Sequence, residues 1–220
     1  MDEPIGQWNK TQLMRHRLAD RFGKTADGKF YTFGEYIVLE RDSPIDQTID
    51  FGAITREAII VDSNRDQCLM QVYNNFRSWL DDRIRAVGHE YKKYVLDGVF
   101  ILSQTIIPYD ETISLRCDKM LDEPMFLGEF IDFPGGVCRH QALLMAFILE
   151  RLRHEGLIKG HVSVDRNKIE VLGGHAWVRY TNSRNVIYIL DTALNYRGPL
   201  HSTNIPWLYK RPEDIVKNPT

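Results

Sequence analysis

Residues Cys138 to Leu152, "CRHQALLMAFILERL", follow "FPGG" and constrain the fold more than any other stretch of the chain. Ala142, Leu143, Ala146, Leu149 and Leu152 recur at helical spacing, so the segment reads as an α-helix with one apolar side. Gly135 and Gly136 precede it, and His154, Glu155 and Gly156 form a C-terminal signal after it. A buried helix that begins at a cysteine must be covered by other elements, and the neighbouring sequence supplies candidates.

Upstream, Leu69, Val72, Tyr73, Phe76, Leu80, Ile84 and Val87 also recur at helical spacing. Asp66 suits the N-cap of that helix and Gly88 its end. A second apolar segment, "YVLDGVFILSQTIIPY", stops near Pro108 and reads as core packing against the first. The polar run "DETISLRCDKMLDEPM" reads as loop. Downstream, "HVSVD" and "KIEVL" flank Arg166 and Asn167 as turn residues, and "HAWVRY" and "VIYIL" flank the loop "TNSRN". Short β-rich runs of this kind predict an antiparallel meander. Near the N-terminus, Leu13 to Phe22 reads as a short helix, and Asp27-Gly28 as a turn before an aromatic strand. Helices first, a helix starting at Cys138, then a sheet is an α+β fold. The expected organisation is one domain: an N-terminal extension over 1–65, a helical part over 66–126, core motifs over 127–196 and a tail over 197–220.

The 220 residues are 43% hydrophobic, enough for a substantial core. Lys plus Arg is 28 against 30 for Asp plus Glu, a net charge of -2 that gives no nucleic-acid footprint. No apolar run is long enough to span a bilayer, so no membrane insertion is expected. "MDEPIGQWNK" lacks the basic end and apolar stretch of a secretory signal. The expectation is a cytoplasmic protein, with export by a route that reads other signals left open. Cys68, Cys117 and Cys138 are odd in number and widely spaced, which suits a reducing compartment rather than a disulfide framework. No CxxC pair is present, and no cofactor is expected. The sequence sets no oligomeric state.

A thiol in the first turn of a helix faces unpaired backbone N–H groups and the positive end of the dipole, both of which favour thiolate. The same amides can hold a developing oxyanion. His175 follows a second glycine pair in "GGHAWVRY", and Asp191 ends the apolar run in "YILDTA". Taken singly, each has a plainer reading: a buried thiol, a core histidine, a turn cap. Taken together they are economical. The hairpin "HAWVRY"–"VIYIL" puts the start of its first strand beside the end of its second, so His175 and Asp191 become neighbours. Asp191 then fixes the imidazole, and the other ring nitrogen faces Cys138 if the helix start abuts that sheet edge. His140 reads as an exposed first-turn residue, Trp177 as core or cleft wall, Arg139 as a local charge partner, and the residues around Tyr196, Trp207 and Tyr209 as a tail wrapped on the core.

The motifs "GGVCRHQALLMAFIL", "GGHAWVRY" and "YILDTA" resemble the transglutaminase-like cysteine hydrolase superfamily, relatives of the papain-like peptidases. The resemblance covers residues 127 to 196. It implies a Cys138 nucleophile, a His175 base and an Asp191 orienter, on a cysteine helix packed against an antiparallel sheet. It also implies attack on an amide carbonyl of a protein or peptide substrate, giving an acyl-enzyme that water hydrolyses or an amine intercepts. Many members carry a proline after the aspartate, where this chain has Thr192-Ala193. Gln104 is either a helix-end cap or an oxyanion donor. Two rival readings stand beside this one: an inactive relative that keeps the scaffold as a binding module, and a metal site of Cys138, His140, His175 and Asp191.

Overall fold

The computed structural model describes residues 21–51, 57–113, 124–169 and 173–215. The chain is α+β, with helices between a six-stranded mixed sheet and a four-stranded antiparallel sheet. Most of the helix expected over Leu13 to Phe22 lies outside the described residues, as do much of the polar run after Tyr109 and Cys117 within it.

Among the described residues a sheet precedes the helices, which corrects the expected order there. The stretch called an extension builds β1 (Phe22–Lys24), β2 (Tyr31–Phe33), β3 (Tyr36–Val38), β4 (Thr48–Phe51) and β5 (Ala58–Val61). With β6 (Met125–Phe126) they form one sheet in sequence order, in which β3–β4 and β5–β6 run parallel. Gly28, at φ 70°, makes the expected turn before β2. Phe33, Tyr36, Val38, Ile49, Phe51, Ala58 and Ile60 give this sheet a small core of its own.

Helix α1 (Gln67–Val87) starts at Asp66, whose carboxylate accepts from the amide of Leu69 at 2.9 Å, and ends at Gly88. A 3-10 turn leads into α2 (Lys92–Ile106). The short α3 (Glu129–Asp132) precedes the glycines, and α4 (Cys138–His154) follows them. The sequence marks one apolar side on α4, but the helix is buried all round: Leu144, Met145, Phe147 and Ile148 are as enclosed as Leu143 and Leu149. The reason is position. One face lies on the four-stranded sheet, another meets α2, and polar side chains reach the first sheet from its start and the β3–β4 loop from near its end. Each of these large apolar side chains contributes roughly 1.5–3 kcal/mol by its burial. Glu150, buried in this helix, accepts from the amides of Ile45 and Asp46 at 3.0 Å each, so its charge is met by backbone donors.

The four-stranded sheet has the order β10-β9-β8-β7, from β7 (Gly160–Ile169), β8 (Gly173–Asn182), β9 (Ile187–Asp191) and β10 (Tyr196–Pro199). Arg166 and Asn167 are not a turn. They continue β7, opposite Ala176 and His175, and the reversal falls between Ile169 and Gly173. Arg166 extends the strand because its guanidinium is held by the buried Asp50 of the first sheet. The tail folds back as a 3-10 turn, α5 (Pro206–Tyr209) and α6 (Pro212–Ile215). It seats Leu200, Leu208 and Tyr209 on Trp177, which is core. No described helix is long and apolar enough to cross a membrane.

Candidate active site

The glycines set the start of α4. Gly136 joins Tyr109 in an isolated parallel bridge, its amide donating to Pro108 O at 3.0 Å and its carbonyl accepting from Asp110 N at 2.8 Å. A Cβ on Gly136 would stand 2.7 Å from Ile107 Cγ2 and 2.8 Å from His140 Cβ, so only glycine lets the chain pass there. Gly135, at φ 157°, turns the chain towards that bridge.

The β8–β9 hairpin supplies the partners. Val178 pairs with Leu190, which puts Asp191 diagonally across from His175 on the same end of the sheet. His175 Nε2 lies 2.6 Å from Asp191 Oδ2. The same imidazole reaches the Cys138 thiol and acts on its ionisation. The contact between helix start and sheet edge, an assumption in the sequence, is present. Asp191 has two further donors: Tyr209 Oη at 2.9 Å and the Leu194 amide at 3.0 Å.

The electrostatics follow from these bonds. Burial opposes ionisation of the Cys138 thiol, but the hydrogen bond and charge of His175 and the Ala176 amide outweigh it, and the pKa is lowered. Burial also opposes charging His175, but Asp191 and then Cys138 raise it to about 9. Both effects favour a thiolate–imidazolium pair at neutral pH. Cys68 shows the opposite case: burial, then its bond to Asp132, pushes it up to about 12. Both described cysteines are free.

The residues around these three side chains are locked. Gln141 Nε2 donates to Ile107 O at 2.8 Å, and its Oε1 accepts from Thr192 Oγ1 at 2.7 Å. Thr192 thus fixes the turn after Asp191 by a side-chain bond. Gln104 Nε2 donates to Thr192 O at 3.3 Å, which commits its amide to positioning that turn.

His140 is not exposed, as expected from its first-turn position, but wholly buried. Its Nδ1 accepts from the Val137 amide at 3.0 Å, its Nε2 lies 3.2 Å from Glu57 Oε1, and its ring packs on Phe130. Neither nitrogen is left to share a site with Cys138. Arg139 points the same way, bonded to Glu57 and 3.3 Å from Asp50, both buried. Its charge serves the junction of α4 with the first sheet, not the thiol. Among the described residues, no cluster of His, Cys, Asp and Glu suited to a metal ion occurs.

This junction has a pH signature. Burial holds His140 down at about 4, below its ordinary 6.5. As pH falls, the unfolded chain therefore takes the proton first, and stability drops between 6.5 and about 4. Glu57, held at about 2 against burial by His140 and Arg139, adds a second loss below its ordinary 4.5. Urea unfolding at about pH 7 and about pH 5 is expected to differ by on the order of 2 kcal/mol from His140. A His140→Gln variant should flatten that difference.

Sequence reasoning missed Tyr209 as part of the site, because nothing in "IPWLYK" marks its destination; only the folded tail brings it to Asp191. Tyr209→Phe is expected to cost about 1–2 kcal/mol in denaturant unfolding, since the buried carboxylate loses one of its donors. An unchanged midpoint would show the bond contributes nothing.

No family model, no curated protein and no solved structure matches this chain.

Proposed function

We propose that the chain is a cysteine-dependent hydrolase or acyltransferase of the transglutaminase-like, papain-related kind, acting on amide carbonyls of a protein or peptide. One observation supports the reading: a single imidazole, His175, is hydrogen-bonded to Asp191 at the end of a strand and acts on the ionisation of Cys138 at the head of a helix. Three residues far apart in sequence, each explicable alone, have no common structural need to meet in that order.

In this reading the Cys138 thiolate attacks the amide carbon, and the amides of Cys138 and Arg139 at the head of α4 stabilise the oxyanion. The tetrahedral intermediate collapses as the His175 imidazolium gives its proton to the leaving nitrogen, leaving a thioester on Cys138. The imidazole then takes a proton from the incoming nucleophile as it attacks the thioester. Water returns a carboxylate, and an amine returns a new amide. Asp191 holds the ring's direction and stabilises its charge, and Tyr209 with the Leu194 amide holds Asp191.

Intact-protein mass spectrometry tests the reading after acid quench of the protein with a mixture of peptides and glutamine-containing proteins. A mass increment on Cys138 that is absent from Cys138→Ala supports an acyl-enzyme. Deamidation, cleavage or cross-linking in the same mixture names the subtype.

A second reading, a binding module that keeps the scaffold without turnover, draws on one observation. Cys138 and His175 are each only 8% exposed, so little of the pair meets solvent. The absence of any adduct across a broad substrate mixture would favour it.

A further inference from the structure

A cleft of about 310 Å³ lies at the other end of the β8–β9 hairpin from Cys138, between that hairpin, the start of α2 and the turn between α4 and β7. Lys92, Lys159 and Arg184 line it, exposed, over apolar and aromatic surface from Leu96, Tyr180 and Tyr188. Among the described residues no carboxylate lines it. Among the described residues none of the three cations is in an ion pair, although salt bridges are frequent elsewhere on the surface. The wall is held in place: Tyr180 Oη donates to Lys159 O at 2.8 Å, and the Tyr180 and Tyr188 rings lie 6.4 Å apart.

We infer that this cleft is an exosite for an acidic segment of the polypeptide substrate, one that interleaves carboxylates with apolar side chains. The chemistry favours a segment over a small free anion. A small anion is held by buried, convergent donors, whereas these cations stand exposed, and each exposed pair adds little. Affinity then needs several carboxylates at once, with apolar side chains on the aromatic floor. The volume is at the lower end of ligand sites, which suits a few residues of peptide.

As an exosite the cleft rests on the amide-acyl-transfer reading, and it adds a spacing rule. Lys159 and Arg184 flank Asn182, seven residues beyond His175 and on the opposite face of the strand, about 23 Å at the strand rise. An extended peptide crosses that in roughly seven to ten residues. Substrates should therefore carry acidic residues at about that distance from the attacked amide. The exosite then acts by raising the local concentration of the amide at Cys138.

Fluorescence anisotropy tests the binding without any turnover. The probes are a short labelled peptide alternating glutamate with leucine, and the same peptide with glutamine for glutamate. The full-length protein at about 50 mM salt is expected to bind the acidic peptide at least about tenfold more tightly than its neutral match, and to lose that preference near 0.5 M. Lys92→Gln/Lys159→Gln/Arg184→Gln should abolish the preference while leaving iodoacetamide labelling of Cys138 unchanged, which shows that the fold is intact. Equal binding of the two peptides, or a preference that survives the triple change, overturns the proposal. Displacement of the peptide by equimolar inorganic phosphate also overturns it, in favour of a small-anion site. Failure of the catalytic reading is read separately. If Cys138→Ala binds like wild type but no acyl-enzyme forms on the wild-type thiol, the cleft stands as a peptide site and its role in catalysis falls.

Discussion

Cys138→Ala is expected to lower turnover of any substrate found in the acyl-trapping experiment by roughly 10⁴-fold or more, with the fold kept. The size follows from the role. In the proposed reaction the nucleophile cannot be replaced by its neighbours, because His175 and Asp191 would act only through the thiol. The side chain removed is small and its loss leaves the surrounding apolar contacts of α4 in place, so the unfolding midpoint should move little. His175 loses one of the partners that raise its pKa, and its titration should shift down from about 9. A variant that retains turnover would place the chemistry elsewhere. A variant that fails to fold would be uninformative alone, so Cys138→Ser, which keeps the volume, is the paired control.

The second large effect concerns the thiols themselves. At about pH 6, iodoacetamide is expected to label Cys138 on the order of 100-fold faster than Cys68. Cys68, held at about 12 by burial and Asp132, offers almost no thiolate there. The profile matters as much as the ratio. An ordinary thiol gains about tenfold in rate per pH unit until its pKa near 8.5. For Cys138 the lowered pKa brings a plateau at lower pH, running up to about 9, where His175 gives up its proton. Burial of Cys138 slows reagent entry at every pH and leaves the shape unchanged. Cys117, which lies outside the described residues, is followed by its own peptide. Equal, slow labelling of Cys138 and Cys68 would contradict the ion pair.

How far the sequence could be read depends on the length of each pattern. Helices α1 and α4 carry repeats several turns long with capping residues at Asp66, Gly88 and Gly156, and those signals survive folding. The hairpin that joins His175 to Asp191 was legible for the same reason: two apolar strands and a polar loop fix the register. The first sheet was not. Its strands are two to four residues long, too short for alternation to be counted, and its turns rest on positive φ at Asp42 and Gln47 as well as at glycines. Arg166-Asn167 misled because two polar residues inside a strand imitate a turn, when Arg166 is in fact paired across sheets with Asp50. His140 misled because first-turn residues are usually solvated. Its burial depends on the first sheet, whose Glu57 faces it. Partners that arrive from distant segments, such as Tyr209 at Asp191, leave no local trace.

These long-range partners give the N-terminal sheet a definite task. Asp50 and Glu57 neutralise Arg139 and Arg166 between the sheet, the first turn of α4 and β7, while Glu150 ties the same helix to the loop at Ile45. The helix that presents Cys138 is thus anchored at its start to the sheet that the sequence left unread, and near its end to the loop between β3 and β4.

The most direct measurement is the far-ultraviolet thiolate absorbance of wild type minus Cys138→Ala, followed against pH. An ion pair predicts a difference signal already present at about pH 6, flat through neutrality, and worth about one thiolate per chain. A difference that stays at zero until about pH 8 or above would mean that Cys138 is an ordinary protonated thiol, and that His175 does not activate it.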